Sequence, residues 1–425
     1  MASFSIPLTG LSAASTELNT IANNLSNMST TAYKEQSTKF SDLFYQQIGS
    51  TGSGDPIQTG AGVKVANNET DYTQGSISTT GVDTDVAIDG NGFFVVDSGN
   101  GSYEYTRAGN FSLTSSGSLV TSSGLSVMGY SATNGVVNTN GSLSAITVPV
   151  GQVEQPQQTT TLSMTTNLDA TATTGTSFPG QVTVYDSLGN SHVMTVTYTQ
   201  TASNTWDFSA ELPASDYSSG TSTPVTGTLS FDSSGVLSSV TIGGVTSTVG
   251  TAAGDVSSIP LSFTGLADGA ADLNMSWNLL GSSNTATIGQ VNATSAVSST
   301  TQDGYAPGQY QSFTIGSDGT VTVTYSNGQK EAVGQLALAN VANLQGLSKL
   351  GNGDYATTLA SGAASIGVSG SAGLGTLESD ALEGSNVNIS QEFANLIVAQ
   401  RAFEASSKAV TTFDTVTQDV IGMIR

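Results

Sequence analysis

"GLSAASTELNTIANNLSNMSTTAYK", Gly10 to Lys34, is the stretch on which the reading of this chain turns. Its apolar residues Leu11, Ala14, Leu18, Ile21, Leu25 and Met28 fall at alternating three- and four-residue spacings. That spacing keeps one stripe of an α-helix turned toward a partner helix. The other positions are mostly Ser, Thr and Asn, and Glu17 is the only charge between Met1 and Tyr33. Solvent-facing helices ordinarily carry Glu and Lys on the outer face. A helix without them is expected to pack on more than one side.

The far end mirrors the start. Asn388, with Gln391 three residues on, is a helix-start signal. Behind it Phe393, Leu396, Ile397, Phe403, Val410, Phe413, Val416, Val420 and Ile424 recur at helical spacing, and Leu396, Phe403 and Val410 are seven apart. The predicted C-terminal seam is Phe393, Leu396, Phe403, Val410, Phe413, Val416, Val420 and Ile424. Ser, Thr and Asn are weak helix formers, so each end alone is expected to be marginal and to gain stability from contacts with other copies.

Between the ends the chain reads as β-structure. "TDVAIDGNGFFVVD" carries Asp89-Gly90 and Asn91-Gly92, both turn signals. "QVTVYDSLGNSHVMTVTYTQ" predicts a hairpin, with Val182 and Val184 before the turn and Met194, Val196 and Tyr198 alternating after it. "QSFTIGSDGTVTVTYSNGQK" repeats the pattern around Asp318-Gly319 and Asn327-Gly328. Recurrent Val, Ile, Tyr and Phe separate these segments from disordered Ser/Thr tracts. The fold class expected is mixed α and β and multidomain: long terminal helices form a coiled-coil-like inner domain, with antiparallel β-domains inserted between them. The expected domains are 1–33 plus 385–425 (helical core), 34–149 plus 300–384 (β-rich middle with a connecting loop) and 150–299 (inserted outer β-domain).

Composition bounds the function. At 425 residues the chain is long enough for two or three cores. A net charge of −23 argues against nucleic acid or an anionic membrane surface as partner. Between Arg107 and Lys330 there is no Lys or Arg against twelve Asp and Glu, which reads equally as an exterior interval that repels copies of itself or as compositional drift toward low Lys usage in an extracellular protein. The absence of cysteine excludes disulfides and thiolate chemistry. No apolar run reaches the roughly 18–20 residues of a membrane span, and no basic segment followed by an apolar core marks a cleaved signal peptide.

Catalytic constellations are thin. His192 is the single histidine and is read as a surface strand residue beside Val193. With no cysteine and no second histidine, zinc clusters of the usual type are not expected. Asp83 and Asp85 form a carboxylate pair of the kind glycosidases use, but two residues apart before a strand they read as a solvated turn. "DGNG" at Asp89 to Gly92 lacks the calcium-loop spacing. Trp206 and Trp277 are the only tryptophans, too few for a sugar-stacking cleft. No catalytic, cofactor or metal residue is expected, and no cofactor.

The opening stretch resembles the N-terminal signature of the flagellar rod and hook axial protein family. "VAIDGNGFFVV", "YTRAGNFSL" and "MGY" are similar to the family's shared β-core. "APGQYQSFTIGSDGTVTVTYSNGQKEAVGQLALANVANLQGL" and "GLGTLESDALEGSNVNISQEFANLIVAQRAF" resemble the carboxyl half of its hook members. "VTVYDSLGNSHVMTVTYTQTASNTWDFSAEL" is similar to the outer β-domain that rod members lack. Tyr33-Lys34 keeps the family's aromatic-Lys pair, whereas Asn388 stands where Asp is usual and Phe403 where Tyr is common.

The resemblance implies a homopolymer: a flexible helical tube acting as a universal joint between motor and filament. Terminal helices would form its inside and sliding β-domains its outside. It implies rod and hook–filament junction proteins, a hook cap and the flagellar export apparatus as partners. It implies an extracellular place at the hook and basal body, reached without a cleaved signal. The alternatives are a distal rod subunit, which should lack the 150–300 insertion, and a secreted β-rich adhesin.

Overall fold

A computed structural model describes residues 5–423 apart from 51, 98 and 100. It divides into two compact units. The first comprises Met1–Val150, Ser312–Thr324 and Lys330–Arg425; the second comprises Gly151–Gln311 and Tyr325–Gln329.

In the first unit the helix α1 (Ser5–Ser26) and the helix α2 (Ile389–Met423) pack together. Helix α1 also rests on an antiparallel strand pair, Gln36–Asp42 with Val63–Thr70, which carries a bulge at Lys39/Phe40. A short hairpin, Gln46–Ser50 with Pro56–Thr59, extends this region and exposes Phe44, Tyr45 and Ile48. The main sheet runs in the order Thr320–Tyr325, Lys330–Leu336, Ser126–Thr133, Phe93–Asp97, Tyr103–Thr106, Asp354–Ala356, Ser348–Gly351. Phe93, Val95, Tyr105, Tyr130 and Tyr355 fill its core, where Tyr72, Phe93 and Tyr355 meet mainly edge to face.

The segment "VAIDGNGFFVV" does not close as a hairpin. Val86–Asp89 pairs with Thr376–Ser379, whereas Phe93–Asp97 enters the main sheet, so the glycines redirect the chain between two ladders. Gly90 has φ +105°, a left-handed conformation that side chains with a Cβ resist. Gly109 is required for a different reason: any Cβ there would collide with the Val86 carbonyl.

The second unit is two sheets over one core. A six-stranded antiparallel meander runs Ser177–Tyr185, Ser191–Ala202, Thr205–Glu211, Val225–Phe231, Leu237–Ile242, Val245–Thr248. The other, five-stranded sheet centres on Thr161–Asp169, which pairs parallel to Leu273–Asn278 and Ile288–Val291 and antiparallel to Ala296–Gln302; Ser258–Phe263 completes it. Alternation produces this core directly. Val182, Val184, Met194, Val196 and Tyr198 all point inward, and Val193 between them is exposed. Trp206 and Trp277 are fully buried; Phe208 meets Trp277 edge-on at 5.5 Å, and the Trp206 indole N–H donates to Gln290 at 3.2 Å. One hydrophobic core draws on both sheets of this unit.

Candidate assembly site

Helices α1 and α2 run antiparallel. Asn24 near the end of α1 donates to Glu392 near the start of α2 at 3.1 Å. Gly10 lies against Ser406, so close that a Cβ on Gly10 would stand 3.2 Å from the Ser406 hydroxyl. Apart from Ile21, the buried residues of the two helices are small or polar: Ala13, Ala14, Thr20 and Asn24 on α1, Glu392 and Ala399 on α2. Small side chains let the two backbones approach closely, and the hydroxyls and amides find fixed partners. Thr20 meets Thr38 on the adjoining strand at 2.9 Å. Asn24 donates to the Gln36 carbonyl at 2.8 Å and accepts from the Gln36 N–H and the Tyr33 hydroxyl. The uncharged polar face of α1 is thus satisfied within the chain, between a second helix and a strand pair.

The seam residues read from spacing are placed as follows. Ala14 and Ile21 are buried, and Leu11, Leu18 and Leu25 are half-buried. Met28 lies beyond the last helical residue and is exposed. On α2, Leu396, Phe403, Val410 and Phe413 are half-buried. Phe393, Val416 and Val420 are about half exposed, at 53%, 52% and 46%. Ile424 lies outside the described residues. Ile397, Val398, Ile421 and Met423 add to the exposed apolar surface of α2, as Ile6 and Leu8 do on α1. Apart from Ile21, the fully buried positions of the pair are thus small or polar, and its bulky residues are half-buried or turned outward.

The start of α2 is capped as its sequence suggests. The Asn388 side chain accepts from the Ser390 and Gln391 backbone N–H groups at 3.1 and 3.3 Å. Gln391 does not reach back to Asn388 but donates forward to Asn395.

Beneath the helices lies a charged knot that local sequence pattern does not reveal. Lys34 Nζ is 2.6 Å from Glu383 Oε1 and donates to the Thr73 carbonyl at 2.7 Å. The same Glu383 oxygen accepts from the Gly75 N–H. Arg107 approaches Glu383 Oε2 at 3.8 Å, clasps the Gly90 carbonyl with two N–H groups, and lies over the Phe93 ring. All three charged side chains are buried. Burial pulls the Lys34 ammonium below the ordinary lysine value, against the upward pull of Glu383. Arg107 is lowered by burial in the same way. Asn386 extends the knot, donating to the Asp71 and Thr73 carbonyls and accepting from the Glu35 N–H. Segments from both ends of the chain and from its β-core are thereby locked together.

In the second unit the structure corrects one expectation. His192 is not a surface residue but is 6% exposed. Its Nδ1 lies 2.8 Å from Asp216 Oδ2, and its Nε2 lies 3.1 Å from Asp186 Oδ2 and 3.7 Å from Asp268 Oδ2. The parity of the strand carried the signal: position 192 shares the inward face of Met194, Val196 and Tyr198. Asp85 is buried and accepts the Thr80 hydroxyl, whereas Asp83 is exposed, so the two do not face a common cleft.

Four family matches cover most of the chain in order: flagella basal body rod protein over 6–34, flagellar hook protein FlgE/F/G D1 domain over 87–167, flagellar basal body protein FlaE D2 domain over 157–305, and flagellar basal body rod FlgEFG protein C-terminal over 378–423. The flagellar hook protein FlgE of Salmonella typhimurium is 35% identical over 99% of this chain and all of its own length. This chain belongs to the flagellar hook protein family. It is a hook subunit, mostly β-sheet with paired terminal helices. The family's member from Treponema pallidum is 33% identical over 98% of both chains. The crystal structure of Helicobacter pylori flagellar hook protein FlgE2 shares the fold, with a TM-score of 0.54 at 15% identity over 72% of this chain and all of that one. Among the described residues no helix is long and apolar enough to cross a membrane.

Proposed function

We propose that this hook subunit polymerises through its terminal helix pair into a tube that bends while transmitting torque from rod to filament. The observation that carries the reading is the division of labour on the helices: small and hydrogen-bonding residues face inward, and Phe393, Ile397, Val398, Val416 and Val420 face outward. Water-exposed apolar side chains on one continuous helix pair favour association with other copies. The seam residues, Leu11, Leu18 and Leu25 with Leu396, Phe403, Val410 and Phe413, lie at the margins of the buried contact, where a neighbouring helix would complete their burial. Sliding between packed β-units supplies the bending, since small shear displacements are a recognised conformational mode.

The proposed role is structural, in keeping with membership of a hook-protein family. Rod and hook–filament junction proteins, a hook cap and the flagellar export apparatus are the proposed partners. An extracellular place, reached by that export route, follows from the same reading. Concentrated protein viewed by negative-stain microscopy tests it: tubes or curved rods are expected, and a persistently monomeric chain would overturn the proposal.

A further inference from the structure

The cluster around His192 calls for a cation. A neutral imidazole has one N–H and one lone pair. Here both ring nitrogens lie within hydrogen-bonding distance of aspartate oxygens, 2.8 Å at Nδ1 and 3.1 Å at Nε2. Ionised carboxylates only accept, so Nε2 carries either a second ring proton, making the ring an imidazolium, or a bound cation shared with the Asp186–Asp268 pair. The second unit contains no lysine or arginine that might supply it.

Both carboxylates are fixed by their own turns. Asp186 Oδ1 is held by the Leu188 and Asn190 N–H groups at 2.8 and 2.9 Å, leaving Oδ2 turned to the imidazole. Asp268 Oδ1 is likewise held by the Ala270 N–H at 3.0 Å, and its Oδ2 faces the same point. The Asn190 amide head stands 3.3 Å from Asp186 Oδ2 and 3.0 Å from Asp268 Oδ2. Turning that head over presents its oxygen in place of its nitrogen.

Tetrahedral zinc with bonds of about 2.1 Å separates its ligands by roughly 3.4 Å. The spacings of Nε2 to the two carboxylates, 3.1 and 3.7 Å, straddle that value. Asp216 on Nδ1 completes the arrangement in which a carboxylate fixes the tautomer of a metal-bound histidine.

We propose that Asp186 Oδ2, His192 Nε2 and Asp268 Oδ2 bind one divalent ion of the zinc class, with Asn190 as fourth ligand and Asp216 as the residue that orients the ring. The mixed nitrogen and oxygen donor set suits zinc better than calcium or magnesium, which take oxygen alone. The ion would join the turn after Ser177–Tyr185, the start of Ser191–Ala202 and the loop around Asp268, with the 3-10 turn Ala214–Asp216 tied in through the imidazole.

The test titrates the full-length chain, freed of metal by chelation, with zinc chloride in a calorimeter at pH 7.5. The ring nitrogens of the single histidine are followed by nitrogen NMR in parallel. One zinc per chain is expected, with the Nε2 signal moving to a metal-bound position and a rise in melting temperature. Asp268→Asn, on the more exposed ligand, should weaken binding 10- to 100-fold, and His192→Gln should abolish it. If His192→Gln does not fold, the Asp268→Asn titration and the wild-type NMR shift decide. Absence of binding up to millimolar zinc, with both ring nitrogens protonated, would show that the cluster holds a proton only. Binding unchanged by Asp268→Asn, or without a shift at Nε2, would place the zinc elsewhere. Either result overturns the proposal.

Discussion

Lys34 and Glu383 are 349 residues apart in sequence, yet their charged groups meet at 2.6 Å with both side chains wholly removed from water. The contact joins the segment that leaves α1 to the segment that leads into α2, directly beneath the helix pair. Replacing a buried pair together can be neutral, whereas removing one partner leaves an unpaired buried charge at a cost of about 3–5 kcal/mol.

Glu383 serves both cations, so its loss should be the worse of the two single changes. Glu383→Gln strands Lys34 and Arg107 together, while Lys34→Met leaves Glu383 with Arg107 at 3.8 Å. Denaturant unfolding should show Glu383→Gln losing about 3–5 kcal/mol and Lys34→Met less. Equal losses would mean that Arg107 contributes nothing to holding Glu383.

The outward residues of α2 should matter only to assembly. Phe393→Asp places its charge at a half-exposed position, where water still reaches it. The melting temperature of the monomer should move by no more than about one degree, the scale of surface substitutions, yet no tubes should form. Ala399→Asp is the contrasting case, because Ala399 is fully buried against α1 and its replacement should lower the monomer's own stability. A Phe393→Asp chain that still polymerises would remove this face from the assembly contact.

Asn24→Leu tests whether the polar face of α1 is held within the chain. It removes two donated and two accepted hydrogen bonds and leaves Glu392 without the amide that faces it. A loss of about 2–4 kcal/mol is expected in the isolated subunit, from buried groups left unpaired. An unchanged monomer would mean that α1 is not docked before assembly.

Acid should weaken the second unit through Asp303. Its carboxylate accepts from the Thr160 and Thr161 N–H groups and from the Thr160 hydroxyl, bonds that outweigh partial burial and hold its pKa below the ordinary 3.8. A depressed folded pKa means that the stabilisation is present above the unfolded value and is lost as pH falls through the folded one. Asp303→Asn should therefore cost about 1 kcal/mol at pH 7 and nearly nothing in acid below the folded pKa, where the parent is also neutral. Melting curves at the two pH values check the difference.

Periodicity was a good guide wherever one face of an element meets one kind of neighbour. In Ser191–Ala202, alternation separates Met194, Val196 and Tyr198 from Val193 and Thr195 without help from the structure. It was set aside at His192, whose inward parity was overridden by the expectation that a polar side chain faces water. On α1 the stripe containing Leu11, Leu18 and Leu25 was visible. The inward turn of Thr20 and Asn24 was not, because their partners lie on the Gln36–Asp42 strand and on Glu392, and no local spacing encodes them. The Lys34–Glu383–Arg107 knot was hidden for the same reason: its members belong to three separate segments, and only the folded chain brings them together.

The stretch without lysine or arginine has a mechanical corollary. A face that carries a single sign of charge offers no complementary spot to another copy of itself, whatever the register. Where two such faces meet, displacement along them encounters no deep electrostatic minima. What remains is a smooth cushion reaching about 8 Å at physiological ionic strength and thinning as salt rises. Composition alone thus gives the second unit the character of a lubricated bearing, and its friction should be set by the ionic strength of the medium.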